Sequence, residues 1–575
     1  MTSARWVIAA SDPLSEERLA RELGIRPITA RVLTARGCGD PASAHRFLHS
    51  NVDDLSDPFL LAGMREAVGR LRAALDRRDK ILIYGDYDAD GTTAVVILHK
   101  ALELAGGLVS FHVPHRLRDG YGMQSGVIEE AARNGVRLIV SVDTGIRAND
   151  VVRQARELGI DVIITDHHLP DRELPPALAV LNPNRSDCSY PDKRLCGAGV
   201  AFQLVRALLG SLGWPERRVR TLTDSFLKMA AIATVADVVP LLGENRIIVK
   251  NGLRGLAEVR NPGLRALLDV AGFTGDTPLT AAGVAFRVAP RINAAGRMAN
   301  ARDVIEMFLT ADPERARRIA GELETLNLER RQTEAAIVQQ ILEECERVPV
   351  DASSFTLVFF GEGWHRGVVG IVASRLVERF SRPAIVLGVD GDEASGSGRS
   401  IAGFHLLEAL ESMPELFSRF GGHRQAAGLT LPATRISEFR DRLNAFAQTK
   451  LTAEDLRPSL EIDAAVNLAE LDERAAGEIL DLAPFGFGNP GPLFVARGVE
   501  VASKPAALGE KHLRVSFRQN GRTLTMKAWG FAERAAELPV GGKIDVAFEL
   551  VDDPYSQARG WGNWSAVLKD VQEAR

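Results

Sequence analysis

Short apolar runs alternate with helical patterns in the first half of the chain, and this alternation predicts a parallel β-sheet. The apolar runs are residues 81–84, 138–142 and 161–164, and the helical patterns between them cover 94–105 and 126–134. Strands in which nearly every side chain is apolar are typical of a sheet that helices cover on both faces. We therefore predict consecutive βαβ units in this part of the chain.

A long helix is predicted after this sheet. Residues 197–310 carry a mostly helical pattern, and Asp312 followed by Pro313 is typical of a helix N-cap and first helical position. The amphipathic pattern that begins there continues to about residue 348. It predicts one helix of about 35 residues and about 50 Å, which would act as a semi-rigid connector.

The remaining sequence indicates a smaller α/β region and then a β-rich region. Strands are predicted at 356–360 and 384–387, within a glycine-rich pattern that runs from residue 355 to about 450. From about residue 458 the pattern changes to short alternating strands, and Asn520-Gly521 between two of them is a strong hairpin signal. These strands predict a small β-barrel at the C-terminus.

The length agrees with this organisation, since 575 residues correspond to three or four domains of about 150 residues each. We predict an α/β multidomain fold with five parts. They are an N-terminal helical segment (1–78), a parallel-sheet domain (79–311), a connector helix (312–349), a smaller α/β domain (350–450) and a C-terminal β-barrel domain (451–575). The N-terminal segment carries no recognisable chemistry.

Composition and charge exclude several classes of protein. No apolar run reaches the roughly 18 residues of a membrane helix and no signal sequence is evident, so we expect a cytoplasmic protein with no membrane partner. The four cysteines are scattered and form no Cys-x-x-Cys pair, which argues against a disulfide framework and structural zinc. The net charge of −5 gives no overall basic field of the kind that marks many duplex-DNA-binding proteins.

Acids and histidines follow all three of the predicted parallel strands. They are Asp86, Asp88 and Asp90 after the first, Asp143 after the second, and Asp166, His167 and His168 after the third. Because the carboxyl ends of parallel strands meet at the edge where open α/β sheets bind ligands, we expect these side chains to converge. Asp237 lies in an apolar segment, where an unpaired charge would cost several kcal/mol, and it adds a further carboxylate.

Other interpretations of these acids are a solvated loop, a calcium loop of the EF-hand type or, for Asp237, a helix cap. An EF-hand needs a glutamate near position 12, and counting from Asp86 that position is Ile97 in an apolar segment. A mixture of carboxylates and imidazoles suits Mn²⁺ or Mg²⁺, and the histidines favour Mn²⁺. We therefore predict a site for divalent cations.

The motif Asp166-His167-His168 gives its name to the DHH phosphoesterase family, which the chain resembles. The match includes further motifs at 113–116, 119–122, 291–297, 364–370, 397–400, 421–428 and 484–490. Within that family, the whole chain is similar to bacterial single-strand-specific DNA exonucleases. The resemblance implies a DHH domain, a long helix, a DHH-associated domain and an oligonucleotide-binding (OB) barrel, in the order that the apolar patterns predict.

The resemblance also implies an activity: 5′→3′ degradation of single-stranded DNA to 5′-mononucleotides by two-metal-ion hydrolysis, in DNA repair and recombination. A helicase and a single-strand-binding protein would supply the substrate. The implied ligands of the two ions are Asp86, Asp88, Asp90, Asp143, His167 and Asp237, with Asp143 or Asp88 bridging. Asp166 and His168 would ligate, orient a ligand or contact the phosphate.

Arginines and glycine-rich loops are the candidates for binding the DNA strand. Four arginines and no acid lie between residues 279 and 302, and the guanidinium fork suits a terminal phosphate, although a solvated helix face would also explain them. Glycine-rich loops at 397–399 and 421–423 could form anion-binding nests. With the family motifs, the predicted contacts are Arg116, Arg291, Asn293, Arg297, Arg366, Ser397, Arg399 and His423.

The predicted barrel carries a local basic strip. Six basic residues and one acid lie between Lys504 and Lys527, together with an aromatic residue and followed by two more. Basic strands with aromatic side chains are typical of single-strand binding by OB barrels, although the aromatics could equally belong to the barrel core. The predicted DNA contacts are Lys511, Arg514, Phe517, Arg518 and Trp529.

Other functions remain open within the same fold. A DHH oligoribonuclease or cyclic-dinucleotide phosphodiesterase would use the same cations but needs no additional barrel. A catalytically inactive replication scaffold would not need the complete set of acids and histidines, and a DHH-type pyrophosphatase would not need the basic strip.

Overall fold

The computed structural model describes residues 4–116, 118–120, 122–274, 279–557 and 562–574, and the backbone alone at 555–556. Tyr121, which is part of the 119–122 motif, lies outside the described residues. The chain forms two compact units. One consists of Met1–Leu55, Pro240–Lys250 and Pro458–Arg575, and the other of Ser56–Val239 and Asn251–Arg457.

The N-terminal residues form one strand and three short helices. These are β1 (Arg5–Ile8), α1 (Pro13–Leu23), α2 (Pro27–Ala35) and α3 (Pro41–Leu48). Each helix begins at a proline, and the side chains of Asp12 and Asp40 cap the first and third. The sequence predicted helices throughout 1–78, and β1 is a correction. This strand pairs with residues 459–462, and such a distant partner leaves no trace in the local helical spacing.

The predicted parallel sheet is present with five strands. Its elements are α4 (Met64–Arg77), β2 (Lys80–Tyr84), α5 (Ala89–Leu104), β3 (Leu108–His112), α6 (Ser125–Arg133), β4 (Val136–Val142), α7 (Asn149–Glu157), β5 (Asp161–Thr165) and β6 (Ala179–Leu181). The strand order is β3-β2-β4-β5-β6 and all pairs are parallel. The three predicted strands are confirmed as β2, β4 and β5, which lie in the centre and are almost fully buried. The two edge strands were not predicted, since one is half-exposed and the other has three residues.

The helical region and the long helix are also confirmed. The elements are α8 (Gly197–Ser211), α9 (Glu216–Ala236), α10 (Gly243–Gly255), α11 (Pro262–Val270), α12 (Ala281–Gly283), a π-helical segment (Val284–Val288), α13 (Ala289–Met298), α14 (Arg302–Leu309) and α15 (Pro313–Arg347). Asp312 caps α15 by accepting a hydrogen bond from the backbone N–H of Glu314. This helix continues without interruption for 35 residues.

A smaller mixed sheet follows α15 in the same unit. Its elements are β7 (Leu357–Glu362), α16 (Val369–Phe380), β8 (Ala384–Asp390), β9 (Glu393–Arg399), α17 (Leu406–Glu411), β10 (Arg419–Gly422), β11 (Ala426–Pro432) and α18 (Ile436–Lys450). The order is β10-β11-β9-β8-β7. The pairing of Arg399 with Ala426, and of Ser397 with Gly428, brings two of the family motifs side by side.

The C-terminal residues form the predicted barrel. The elements are β12 (Ser459–Ile462), β13 (Ala464–Ala465), α19 (Glu473–Leu480), β14 (Leu493–Val501), β15 (Ala506–Ala507), β16 (Leu513–Gln519), β17 (Arg522–Ala528), β18 (Lys543–Asp552), α20 (Pro554–Gln557) and β19 (Trp564–Glu573). Pairing of β14 with β16 closes the sheet. Asn520 and Gly521 both have positive φ angles and form the predicted hairpin turn. No helix within the described ranges has the length and apolar character of a membrane span.

Candidate metal centre and substrate groove

The first group of acids is placed by the junction between β2 and α5. Asp86 is buried just after the strand, and its Oδ1 accepts no hydrogen bond from any residue that the structure describes. Asp88 is the N-cap of α5, where its Oδ1 accepts hydrogen bonds from the backbone N–H groups of Asp90 (2.9 Å) and Gly91 (3.0 Å). The sequence therefore places a helix N-terminus at this acidic loop, which favours negative charge there.

Asp90 and Asp143 meet at the N-terminus of a second helix. The carboxylate of Asp90 accepts hydrogen bonds from the backbone N–H groups of Gly197 (2.6 Å) and Ala198 (2.8 Å), which begin α8. Asp143 follows β4 with φ of 59° and is buried. A Cβ at Gly197 would lie 2.5 Å from the Asp143 side chain, so glycine is required for this close approach.

His167 joins the acids from β4, α5 and α9. Its Nε2 lies 3.2 Å from Oδ1 of Asp143, 3.8 Å from Oδ2 of Asp237 and 3.9 Å from Oδ2 of Asp90. Asp237 reaches this point from the C-terminal end of α9. In the part of the chain that the structure describes, three groups have ligand atoms within 4.8 Å of one another: Asp86, Asp88 and Asp143; Asp90, His167 and Asp237; and Asp143, His167 and His168.

These residues fit a divalent cation. Burial, and then the neighbouring carboxylates, raise the pKa values of Asp86, Asp143 and Asp237 well above the usual range. Among the described residues, none donates a hydrogen bond to one of the two oxygens of each of these acids. Buried oxygens without partners are costly, and a cation coordinated by them would remove that cost. The mixture of carboxylate and imidazole ligands agrees with Mn²⁺ or Mg²⁺.

Asp166 is arranged differently, because its oxygens are engaged by hydrogen bonds. Its Oδ2 accepts from the backbone N–H of Ile146 (2.9 Å), and its Oδ1 pairs with Nδ1 of His168 (2.8 Å). Burial alone would raise the pKa of Asp166, but the hydrogen bonds from His168 outweigh it and lower the pKa. For His168 burial lowers the pKa, and the bond with Asp166 more than compensates and raises it. Asp166 thus orients His168.

A groove of about 740 Å³ contains four of the predicted DNA contacts. Arg116, Arg366, Ser397 and Arg399 line it, and the guanidinium of Arg116 lies over the ring of Tyr87 at 5.0 Å. Sequence reasoning missed several lining residues: Tyr87, Arg118, Arg419 and Phe420. Arg419 and Phe420 directly precede the 421–428 motif, and that adjacency was the available signal.

Three arginines, Arg116, Arg297 and Arg399, come close together, and Asp88 is an acid that acts on one of them, Arg297. Burial, followed by Arg116 and Arg399, lowers the pKa of Arg297 to about 10, and burial with Arg116 lowers the pKa of Arg399. Within the described ranges neither Arg297 nor Arg399 forms an ion pair; they donate to the carbonyls of Gly367 (3.1 Å) and Gly398 (2.8 Å). Guanidinium groups held together in this way favour a bound anion.

The other predicted DNA contacts of this unit have structural partners. Arg291 forms an ion pair with Glu324 of α15 (2.5 Å). Oδ1 of Asn293 accepts the backbone N–H of Ala89 (2.9 Å), so Asn293 holds the N-terminus of α5. His423 follows β10, and burial, then Arg147 and His168, lower its pKa, which places it near the metal centre.

The barrel presents basic residues outward but keeps one predicted contact inside. Phe517 is fully buried in the core, so the prediction that its ring stacks on DNA is wrong; β16 alternates, and its odd-numbered residues face inward. Trp529 is half-exposed beside His512. Lys511 and Arg514 are exposed, and Arg518 pairs with Glu500 (2.6 Å).

Comparison with protein families agrees with this division of the chain. Residues 80–234 match the DHH family N-terminal domain, 352–449 match the DHHA1 domain and 462–561 match the RecJ OB domain. The domains that the sequence motifs predict and the domains that the family comparison finds therefore agree in kind and in order.

Several of the similar proteins and structures are RecJ exonucleases. The chain is 38% identical over 550 residues to the single-stranded-DNA-specific exonuclease RecJ of Bacillus subtilis, covering 95% of this chain and 68% of that protein. The structure resembles RecJ of Thermus thermophilus in complex with Mn²⁺, with a TM-score of 0.82, 31% identity, and coverage of 99% of this chain and 80% of that one. The structure of the same protein in complex with Mg²⁺ gives a TM-score of 0.76 at 28% identity, with coverage of 99% of this chain and 79% of that one.

Proposed function

This chain belongs to the RecJ family of single-stranded-DNA-specific exonucleases, and from this premise we propose that it degrades single-stranded DNA from the 5′ end, 5′→3′, and releases 5′-mononucleotides. The observation that carries the proposal is the convergence of buried, unpartnered carboxylate oxygens with His167, in a unit that also contains a groove lined by arginines. Such a pair of features suits phosphodiester hydrolysis next to a bound phosphate.

The proposed ligands of two divalent cations are the acids of the α5 loop with Asp143, His167 and Asp237. They are Asp86, Asp88, Asp90, Asp143, His167 and Asp237, and the three candidate groups support this set while adding His168. When bound, the cations would supply Lewis acidity toward the phosphodiester and toward the attacking water. Asp166 would keep His168 in one tautomer and orientation through its bond to Nδ1.

Polarity would come from the arginines of the groove. Arg116 and Arg399 line the groove and Arg297 lies close to both, and Asp88 is among the charges that act on Arg297. A terminal 5′-phosphate bound by these guanidinium groups would present the first phosphodiester to the neighbouring acids. A 3′ end offers a hydroxyl in place of the phosphate and would lose these charged hydrogen bonds.

The barrel would provide a second binding surface for the strand. Its exposed basic side chains would neutralise phosphates and the ring of Trp529 would stack on a base, as in other OB barrels. We propose a role in DNA repair and recombination. We also propose a cytoplasmic location. A helicase and a single-strand-binding protein would supply the strand.

The test is a set of labelled substrates with Mn²⁺. We expect rapid release of mononucleotides from 5′-phosphorylated single strands, slower release from 5′-hydroxyl strands, and no degradation of blunt duplexes. Release from a 3′ label first would contradict the polarity. Cleavage of only di- or oligoribonucleotides would favour the short-substrate alternative, and no cleavage with intact Mn²⁺ binding would favour an inactive scaffold.

A further inference from the structure

The main chain of the His167-His168 dipeptide is held on both sides by side chains. Both backbone N–H groups donate to Oδ1 of Asp166, at 2.7 Å and 3.1 Å. Both carbonyls accept from asparagine amides, since Nδ2 of Asn184 donates to His167 (2.6 Å) and Nδ2 of Asn182 donates to His168 (2.8 Å). Three side chains therefore satisfy all four polar groups of the dipeptide.

The two asparagines are themselves fixed by the sheet. Asn182 directly follows β6, the strand beside β5, and it is fully buried. Its Oδ1 accepts the backbone N–H of Asn184 (2.8 Å), so its amide N–H₂ must face His168. The N–H of Asp166 donates to the carbonyl of Leu181 (3.0 Å), which continues the β5–β6 pairing up to the dipeptide.

We propose that Asn182 and Asn184 are positioning residues for the metal centre, and this inference rests on the proposed function. By holding the two carbonyls, they fix the direction of both Cα–Cβ bonds and hence the position of the imidazoles. Nε2 of His167 lies between 3.2 and 3.9 Å from three carboxylates. A rotation of the dipeptide would change these three distances and disturb the arrangement of the ligand atoms, so Mn²⁺ affinity depends on amides that do not touch the metal.

The experiment measures Mn²⁺ affinity of the full-length protein by titration calorimetry, for Asn184→Ala and Asn182→Ala. Alanine removes the amide donor without adding a charge near the cations. Outer contacts of metal ligands typically change affinity by about 10- to 100-fold, and we expect about 10-fold weaker Mn²⁺ binding for each variant. With DNA as substrate, KM should stay near wild type while kcat falls and recovers at high Mn²⁺.

Asn444→Ala is the matched control. Nδ2 of Asn444 donates to the carbonyl of Ser353 (3.1 Å) and its Oδ1 accepts two backbone N–H groups, so its loss also removes a local clamp. We expect a lower melting temperature with unchanged Mn²⁺ affinity. If Asn182→Ala fails to fold, the variant of the partly buried Asn184 decides the question alone.

The outcomes separate this inference from the proposed function. Wild-type Mn²⁺ affinity in the asparagine variants, with a loss of stability similar to that of the control, would overturn the positioning role and leave the function intact. Failure of the wild-type protein to bind Mn²⁺ would overturn both. Binding of Mn²⁺ by the wild-type protein without cleavage of single strands would overturn the function alone.

Discussion

The candidate metal centre and the outer face of the barrel both carry functional charge, but they hold it in opposite ways. At the metal centre Asp86 and Asp143 are buried, and one oxygen of each accepts no hydrogen bond. On the barrel Arg514 is exposed and Arg518 pairs with Glu500, so water or a neighbour already satisfies these charges. Buried charge without a partner therefore points to a ligand, whereas exposed charge does not by itself.

The groove is intermediate between these two regions. Arg297 and Arg399 are partly buried, and burial is the main cause of the lowered pKa of each, with the neighbouring arginines second. Within the described residues their side chains donate to carbonyls and neither forms an ion pair, although the charge of Asp88 acts on Arg297. We expect functional effects of substitutions to follow this ranking of burial and unpaired charge.

The largest effect should come from Asp143→Asn. Asparagine keeps the shape and accepts the positive φ of this position, but it removes the charge at the point where the ligand groups overlap. We expect single-turnover cleavage at saturating Mn²⁺ to fall by more than about 100-fold, beyond the usual loss from outer contacts. Asp150→Asn, on the exposed start of α7, is the control and should leave the rate unchanged.

The same variant should be more stable than wild type when Mn²⁺ is removed with a chelator. Burial raises the pKa of Asp143 in the folded protein. The folded state therefore loses stability as the pH rises from the pKa of this group in the unfolded chain toward its raised pKa in the folded protein. Asparagine has no such loss, so the melting temperature of the metal-free variant at neutral pH should exceed that of metal-free wild type. A lower melting temperature of the variant would show that the buried Asp143 carboxylate does not destabilise the metal-free protein.

The second largest effect should be a difference between the metal centre and the barrel in their response to Mn²⁺. A ligand at 100 times its Kd stabilises the folded state by about 2.7 kcal/mol. We expect this gain to appear in hydrogen exchange as slower exchange in the loops that follow β2, β4 and β5, with no change in β16 and β17. Equally slowed hydrogen exchange in β16 and β17 would contradict the proposal that Mn²⁺ binds at the buried carboxylates and not at the barrel.

Arg399→Ala should have a smaller effect that depends on the 5′ end. A hydrogen bond to a charged group contributes about 1.5 to 3 kcal/mol, so we expect KM for 5′-phosphorylated strands to rise by about 10-fold or more. KM for 5′-hydroxyl strands and Mn²⁺ affinity should change little. Arg435→Ala, which removes a surface arginine paired with Glu438, is the control. A change in Mn²⁺ affinity larger than the change in KM would contradict the role.

The smallest effect on DNA is expected from the barrel, where an exposed and a buried aromatic residue should respond differently to substitution. Trp529→Ala should weaken binding of single-stranded DNA by about 1 to 3 kcal/mol and leave thermal stability nearly unchanged, since the ring is half-exposed. Phe517→Ala should lower stability by about 3 to 5 kcal/mol. Fluorescence anisotropy and thermal unfolding measure the two quantities. A Trp529 variant with normal DNA affinity would remove the barrel face from the proposal.

The central strands and the long helix could be predicted because their patterns are local. β2, β4 and β5 are short, continuous apolar runs, and α15 begins at an Asp-Pro pair and continues without a break. The edge strands β3 and β6 lack such patterns, and β1 pairs with a strand that lies 454 residues further along the chain (Arg5 with Ser459). Asn182 and Asn184 look like an ordinary turn in the sequence, and only their contacts with the two histidine carbonyls give them a role.

The sequence by itself determined which side chains are available and that the acids and histidines follow strands, because strand ends and residue types are local properties. Only the tertiary structure decided which atoms meet. It brought Asp237 to His167 and the Asn293 side chain to the start of α5. It also turned Phe517 inward, because in a closed barrel the alternation of a strand, and not residue type, decides which side chains reach solvent. Those contacts depend on distances between residues that are far apart in the chain.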